Sequence, residues 1–212
     1  CRAMRFFIFF ISITNIVFSL NTYNLNLDSS SLEWIGRKIT GEHNGTINFS
    51  SGYVGLDDKT IKSGIFIVDM STIKDLDIEN TTYRKYLEDH LNEKDFFDTE
   101  VYPFATLTIF EQLDPDSSAK SLGYNSIINC ALTIKGITDS IKIPANIMIL
   151  NNYATAKGSL DVDRTLYDIK YKSKSFFPDI GDKLIYDNFG SCQGNLMTFC
   201  IMVFTWGSIV PY

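Results

Sequence analysis

Two histidines are the side chains of this sequence best suited to metal or acid–base chemistry. His43 lies between Gly41 and Gly45, and His90 lies in a segment with helical spacing, so the fold could bring them together. A metal site would need a third ligand, which no neighbouring motif marks. We therefore interpret both as hydrogen-bonded structural residues, with His43 in a bulged turn, and predict no metal site.

A pair of aspartates could also do acid–base chemistry, because Asp95 and Asp98 flank Phe96 and Phe97. We favour a structural interpretation, in which Asp95 ends a helical region and the two phenylalanines plug one end of the fold. No GxSxG, HExxH or P-loop sequence is present. The sequence therefore predicts no catalytic residue, and we do not expect an enzyme.

Three further polar residues have the chemistry of a structural cluster. Asp69, Asp163 and Arg164 could form a polar cluster that fixes strand ends. A forked Arg–carboxylate contact is plausible there, and the sequence does not identify the carboxylate. The four cysteines form no CxxC pair and indicate neither a zinc site nor a disulfide framework. Cys130 lies among apolar alternating positions and is predicted to be a small core residue.

The elements that must position these residues are mostly strands, and residues 127–149 show the pattern most clearly. Apolar and polar residues alternate along IINCALTI and again along DSIKIPANIMI, on either side of Gly136. Strict alternation indicates a strand with one buried face. Two such strands around a short connection containing glycine predict an antiparallel hairpin.

The same alternation recurs along most of the chain, and one segment departs from it. Tyr83, Leu87 and Leu91 are spaced by four, which predicts a helix near residues 82–93 with Thr81 or Thr82 as its N-cap. Residues 113–122 are predicted to be a polar loop. About eight strands with one helix and no βαβ alternation predict an all-β fold, a closed antiparallel β-barrel.

Composition limits the partners and suggests three segments. The 212 residues carry a formal net charge of -6, which argues against nucleic acid as a partner. Residues 1–20 contain a positive charge and a short apolar run, which is typical of a signal peptide; an uncleaved anchor is the alternative. We expect one domain over residues 21–189. Residues 190–212 lose the alternation and form an atypical apolar tail.

The sequence from about residue 34 to residue 189 resembles the YceI family of lipocalin-like, polyisoprenoid-binding proteins. Each matching piece is short, but their order and spacing together are specific. The pieces are Trp34-x-Gly36-x-Lys38-x-x-Gly41-x-His43-x-Gly45; Gly64-x-Phe66-x-Val68-Asp69-Met70 followed by Ile73; Leu87-x-x-His90-Leu91; Asp95-Phe96-Phe97-Asp98 leading to Tyr102-Pro103-x-Ala105; Leu132-Thr133-Ile134-Lys135-Gly136-Ile137-Thr138; and Asp163-Arg164 with Tyr171.

The resemblance implies an antiparallel barrel whose apolar interior holds a long-chain lipid. It also implies export to the periplasm or secretion, as for many bacterial relatives, with only transient contact with the membrane. We expect no cofactor beyond a bound isoprenoid or fatty chain, and a homodimer remains open. Apolar positions on inward faces are predicted to line the lipid site; they are Phe66, Phe97, Leu107, Ile134, Ile143, Ala145, Ile147, Ala154, Ala156 and Leu160.

Two interpretations of that interior remain open. A barrel of about eight strands is either filled by its own side chains or wide enough for one ligand. Ala145, Ala154, Ala156 and Gly158 are small and lie in neighbouring predicted strands, which favours a cavity. The alternative is an envelope scaffold protein whose barrel is filled by side chains and which carries no lipid.

Overall fold

The computed structural model describes residues 20–39, 41–150, 153–173, 175–176, 185–189 and 199–205. The predicted signal peptide therefore lies outside the described residues, apart from Leu20. Most of the predicted tail also lies outside them. Both segment assignments stay predictions.

The described part of the chain folds mostly into strands, with two short α-helices between them. Two 3-10 helices, Leu27–Ser29 and Arg164–Tyr167, complete the elements. The strands and α-helices are β1 Asn21–Asn24, β2 Leu32–Lys38, β3 Gly41–Asp57, β4 Thr60–Asp75, α1 Thr81–Asn92, β5 Phe104–Leu113, α2 Ser117–Ser121, β6 Ser126–Ile134, β7 Ile137–Leu150, β8 Tyr153–Leu160, β9 Val162–Asp163, β10 Asn188–Phe189 and β11 Phe199–Thr205.

One strongly curled antiparallel sheet contains nine of these strands. Its order is β1-β3-β4-β5-β6-β7-β8-β11, and β2 pairs with β3 on the edge that β1 also uses. At the far end β11 returns to lie beside β2. The predicted all-β, antiparallel, lipocalin-like barrel of about eight strands with one helix after Thr82 is confirmed, and β9 and β10 form a small separate ladder.

The hairpin predicted over residues 127–149 is formed by β6 and β7. The two strands pair from Ser126 with Ala145 to Ile134 with Ile137. Their two-residue turn, Lys135-Gly136, has positive φ at both positions, as the tightest hairpin turns require. The turn formed by Lys135 and Gly136 therefore sets the register of this wall of the barrel.

The helix is confirmed, although its N-cap differs from the prediction. Asn80, rather than Thr81 or Thr82, accepts hydrogen bonds from the backbone N–H groups of Thr82 and Tyr83, at 3.0 and 3.1 Å. Asparagine is as good a cap as threonine or better, so the first turn begins one residue earlier. The predicted loop at residues 113–122 is wrong in part, because Asp116 caps the five-residue helix α2 within it.

The glycine-rich segment around His43 is strand rather than a bulged turn. Gly36 pairs with His43 and Trp34 pairs with Gly45 in the ladder between β2 and β3. A Cβ at Gly45 would overlap the carbonyl oxygen of Lys74 on the other neighbouring strand. Gly45 therefore permits close approach of the backbones and does not mark a turn.

A strand also forms where no closing strand was predicted. Phe199–Thr205 pairs with β8 as β11, with an irregularity between Cys200 and Met202. This segment lacks alternation, and a continuous apolar run can form a strand as readily as a piece of helix. The sheet therefore extends beyond residue 189 into the segment that was interpreted as a tail.

The core occupies the interior of the curled sheet and the space beneath α1. Leu91 of α1 is buried and Leu87 packs against the core, whereas Tyr83 is exposed. Cys130 is fully buried, which confirms the prediction for this thiol. No helix in the described ranges is both long and apolar enough to span a membrane.

Candidate functional site

One cavity bordered by the described residues lies inside the barrel and measures about 60 Å³; we call it the first cavity. Eight strands, β2 to β9, contribute to its lining, and most of the lining residues are aliphatic. The hydroxyl-bearing residues among them are Thr106 and Ser159. The lining residues are Leu32, Ile47, Val68, Met70, Ile73, Ala105, Thr106, Leu107, Leu132, Ile134, Ile143, Gly158, Ser159, Leu160 and Val162.

The second cavity lies between α1 and the β2–β3 ladder and measures about 80 Å³. It mixes aromatic and aliphatic side chains with four basic ones. Ile73 borders both cavities, so the two spaces meet at this side chain. The lining residues are Trp34, Gly36, Arg37, Lys38, His43, Ile73, Leu87, His90, Leu91, Phe96, Phe97 and Ile185.

Five of the ten predicted lining residues border these cavities. Leu107, Ile134, Ile143 and Leu160 border the first, and Phe97 borders the second. The other five do not contact either space. Phe66, Ala145, Ala154 and Ala156 are buried in the core, and Ile147 is half-buried against it.

Of the four small residues predicted to favour a cavity, Gly158 borders the first cavity, and close packing explains why the three alanines do not. A Cβ added at Gly158 would lie 2.8 Å from the carbonyl oxygen of Pro144 and 3.3 Å from the Cβ of Ala145. Small side chains at this point let β7 and β8 approach each other closely. Phe66 packs edge-on against Phe49, with ring centroids 6.3 Å apart, and so fills its own space.

Several lining residues were not predicted, and Trp34 and Ile73 are the most informative. Both belong to the family-like pieces of the sequence, which was the available signal. The indole N–H of Trp34 donates to the carbonyl oxygen of Lys74 at 3.1 Å, which fixes the ring over the second cavity. Ile73 is buried and separates the two cavities.

His43 and His90 both border the second cavity, so the fold does bring the two histidines to one space. Each is held by a different carboxylate. The Nδ1 of His43 lies 3.0 Å from Asp77, and the Nδ1 of His90 lies 3.1 Å from Glu93. His90 also packs edge-on against Tyr171, with ring centroids 4.4 Å apart. Its neighbour Phe96 is buried beside Phe97, as the predicted plug requires.

The pKa values of Asp75 and Asp77, which lie beside His43, are shifted in opposite directions. Burial, with the adjacent Asp77 charge, raises the pKa of Asp75 above its ordinary value, although a hydrogen bond from Ile78 acts against it. Burial also acts to raise the pKa of Asp77. Hydrogen bonds from the backbone N–H of Asn44 and from His43 outweigh that effect, so the pKa of Asp77 is lowered. The pair therefore has one carboxyl that favours the neutral form and one that favours the charged form.

The predicted cluster of Asp69, Asp163 and Arg164 is not the arrangement that forms. Arg164 is fully buried and donates to the carbonyl oxygens of Ile169, Ile185 and Tyr186. Asp163 caps the 3-10 helix that follows it, and Asp69 accepts from Ser71.

Arg164 forms an ion pair with Asp187, with a nitrogen–oxygen distance of 3.6 Å. Arg164 therefore ties the 3-10 helix to residues 185–187, which lead into β10. This role needs backbone acceptors, which no spacing of acidic residues in the sequence reveals.

Comparison with known proteins supports the fold independently. A family model described as a YceI-like domain matches residues 23–189. Among curated proteins, no sequence match was found. The structure is similar to BcnA of Burkholderia cenocepacia, with 19% identity, a TM-score of 0.61, and coverage of 87% of this chain and 99% of BcnA.

Two other solved structures share the fold at lower identity. One is a polyisoprenoid binding domain from Saccharophagus degradans implicated in plant cell wall breakdown, with 14% identity, a TM-score of 0.57, and coverage of 88% of this chain and 98% of that domain. The other is the YCEI protein of Campylobacter jejuni, with 14% identity, a TM-score of 0.50, and coverage of 98% and 100%. With the family model matching most of its length, this chain belongs to the YceI-like domain family.

Proposed function

We propose that this protein binds a polyisoprenoid or another long-chain amphiphile inside its barrel, for transport or storage. The observation that carries the proposal is the pair of interior cavities that meet at Ile73, both with almost wholly apolar walls. We further propose that the protein works in the periplasm or after secretion, because of the signal-like residues 1–20. Contact with the membrane would then be transient, at loading and release.

The energetics of such binding need few polar contacts. Burying a chain contributes about 0.8 kcal/mol per methylene, or roughly 4 kcal/mol per five-carbon isoprene unit. Association of a ligand costs about 4–15 kcal/mol in lost freedom. Three or four buried isoprene units therefore offset that cost, which explains why no sharp sequence motif marks the site.

Loading must widen the interior, because cavities of about 60 and 80 Å³ hold only a short stretch of chain. Met70 lines the first cavity, and its unbranched thioether can change rotamer with little strain. Ile73 stands at the junction. We expect these two side chains to move first when a chain occupies both spaces.

The basic residues at the second cavity support one orientation of the ligand. Both cavities have almost wholly apolar walls, but the basic residues Arg37, Lys38 and His43 border only the second. A chain in the first cavity would place the polar head of the amphiphile in the second. A C20 prenol should therefore bind more tightly than an alkane of equal length, and equal affinities would contradict this orientation.

The relatives support a binding protein rather than an enzyme. The Saccharophagus degradans neighbour is named as a polyisoprenoid binding domain, and the chain belongs to the same fold family. Similarity at 14% identity carries the fold alone, so the ligand class for this chain remains our proposal.

Extraction of the purified protein tests the proposal directly. The protein should be purified without detergent, extracted with organic solvent and analysed by mass spectrometry, with a stripped sample then titrated with a C20 prenol. We expect a long-chain lipid in the extract or saturable binding of the prenol. A clean extract together with no prenol binding would overturn lipid carriage.

A second candidate function has one observation in its favour. The cavities are small, and the alanines predicted to open the barrel are packed against neighbouring atoms. A barrel filled by its own side chains would serve as an envelope scaffold for partner contacts, alone or as a homodimer. The same extraction separates the candidates, because the scaffold yields no lipid and does not bind the prenol.

A further inference from the structure

One cluster of side chains that could hold a metal ion lies at the end of β4. Binding of an ion there does not depend on the proposed lipid. It consists of His43, Asp75 and Asp77, which we call the His43 cluster. The Nδ1 of His43 lies 3.0 Å from an Asp77 oxygen and 4.0 Å from an Asp75 oxygen. All three potential ligand atoms lie within 4.8 Å of one another.

Asp75 is the member that demands an explanation. Its side chain is fully buried, and one oxygen accepts from the backbone N–H of Ile78 at 2.8 Å. The other oxygen, Oδ2, is buried and has no hydrogen-bond partner, and it is the atom that points at His43. A buried carboxylate oxygen without a partner is unfavourable, so this oxygen indicates a missing partner.

The geometry points to a divalent transition-metal ion, for which Zn²⁺ is the natural probe, bound by His43, Asp75 and Asp77. One imidazole and two carboxylates form a mixed nitrogen and oxygen set, which suits zinc better than magnesium or calcium. Tetrahedral zinc places neighbouring ligand atoms about 3.3 Å apart, and the observed 3.0 and 4.0 Å bracket that separation. Three protein ligands leave a fourth position for water.

Lys38 determines which ring nitrogen of His43 carries the proton that a bound ion must displace. Its Nζ lies 3.3 Å from the Nε2 of His43 and can only donate, so without an ion Nδ1 carries the proton and donates to Asp77. Binding of the ion to Nδ1 therefore releases or moves that proton, and Lys38 must turn away. Lys38 opposes binding through both its charge and this contact.

A proton shared between Asp75 and Asp77 is the competing explanation. A protonated Asp75 could donate to Asp77 and would satisfy the buried oxygen without any ion. Asp75→Asn mimics that protonated form and so separates the two explanations. A second trio, His90, Glu93 and Asp95, provides a matched control, because both of its carboxylates are exposed, whereas Asp75 is buried.

The test is titration of the full chain, freed of metal with a chelator, with Zn²⁺ at neutral pH by calorimetry, together with thermal unfolding. We expect one high-affinity Zn²⁺ per chain and a rise in Tm on adding Zn²⁺. Asp75→Asn and Asp77→Asn should each weaken binding at least about tenfold. Glu93→Gln should leave it unchanged, and Lys38→Met should tighten it.

Three results would overturn the inference. They are no saturable Zn²⁺ binding by the wild-type protein, a response to Ca²⁺ or Mg²⁺ but not to Zn²⁺, and Asp75→Asn binding as tightly as the wild type. Circular dichroism establishes that each variant is folded. Should Asp75→Asn fail to fold, Asp77→Asn decides the outcome alone, since Asp77 is only partly buried.

Discussion

Ile73→Ala is the substitution that tests most directly whether the two cavities act as one site. Ile73 is buried, lies in β4 and borders both cavities. Truncation to alanine removes three carbons at the junction and joins spaces of about 60 and 80 Å³. The empty protein should lose stability, and a bound chain should recover more stability in the variant than in the wild type.

The magnitude follows from the removed carbons and the space they leave. Three carbons at about 0.8 kcal/mol each give roughly 2.4 kcal/mol of lost burial. The enlarged void adds about 24 cal/mol per Å³, which brings the total to about 3–5 kcal/mol, within the range for such substitutions. The position within this range depends on how far the surrounding side chains relax into the joined space.

Ile61→Ala is the matched control, since Ile61 lies in the same strand, is equally buried and borders neither cavity. Both variants should lower the free energy of unfolding in urea. A saturating C20 prenol should then raise the Tm of Ile73→Ala more than that of the wild type, and should not do so for Ile61→Ala. Equal shifts in the two variants would refute a shared site at Ile73.

Three further predictions concern stability and pH. Arg164→Met leaves three backbone carbonyl oxygens without their donor and should reduce the free energy of unfolding by about 3–5 kcal/mol in urea melts; a loss below about 1 kcal/mol would contradict the tie it makes. Asn80→Ala removes the α1 cap and should lose about 1 kcal/mol, whereas Asn80→Asp should lose little; equal losses would contradict the capping role. Burial raises the pKa of Cys130 to about 12, so its folded thiol should resist alkylation at pH 8. Above the ordinary thiol pKa the unfolded chain loses a proton that the folded chain keeps, so this thiol should lower stability by up to about 1.4 kcal/mol per pH unit as pH rises toward 12. Cys130→Ala should remove this contribution, whereas Tyr167, whose pKa burial also raises to about 12, should keep its own above about pH 10.

The strands could be predicted from the sequence because alternation reports a local property, namely which face of a strand is buried. The β6–β7 hairpin follows from alternation and one glycine, and the family-like pieces supply the barrel. The lining residues are less predictable. Ala156 and Leu160 share an inward face of β8, yet only Leu160 reaches a cavity, because volume depends on what packs opposite each residue.

The His43 cluster could not be predicted for a different reason, because it depends on the register between β3 and β4. Counting back from the hairpin pair Asp57 and Thr60 places His43 opposite Lys74. The observed pairs shift by three residues between Asn48–Asp69 and Thr46–Lys74, so His43 lies opposite the position of Asp77.

That shift is an irregularity over residues 70–73 of β4, where side chains replace the missing ladder contacts. The backbone N–H of Asn48 donates to the hydroxyl of Thr72 at 2.8 Å, and that of Ser71 donates to Asp69 at 3.0 Å. Extra residues of this kind bend a strand and re-aim the side chains that follow. Here the residues re-aimed are Ile73, at the junction of the cavities, and Asp75, in the His43 cluster. Both candidate sites therefore depend on a single break in register, which no alternation within β4 alone could reveal.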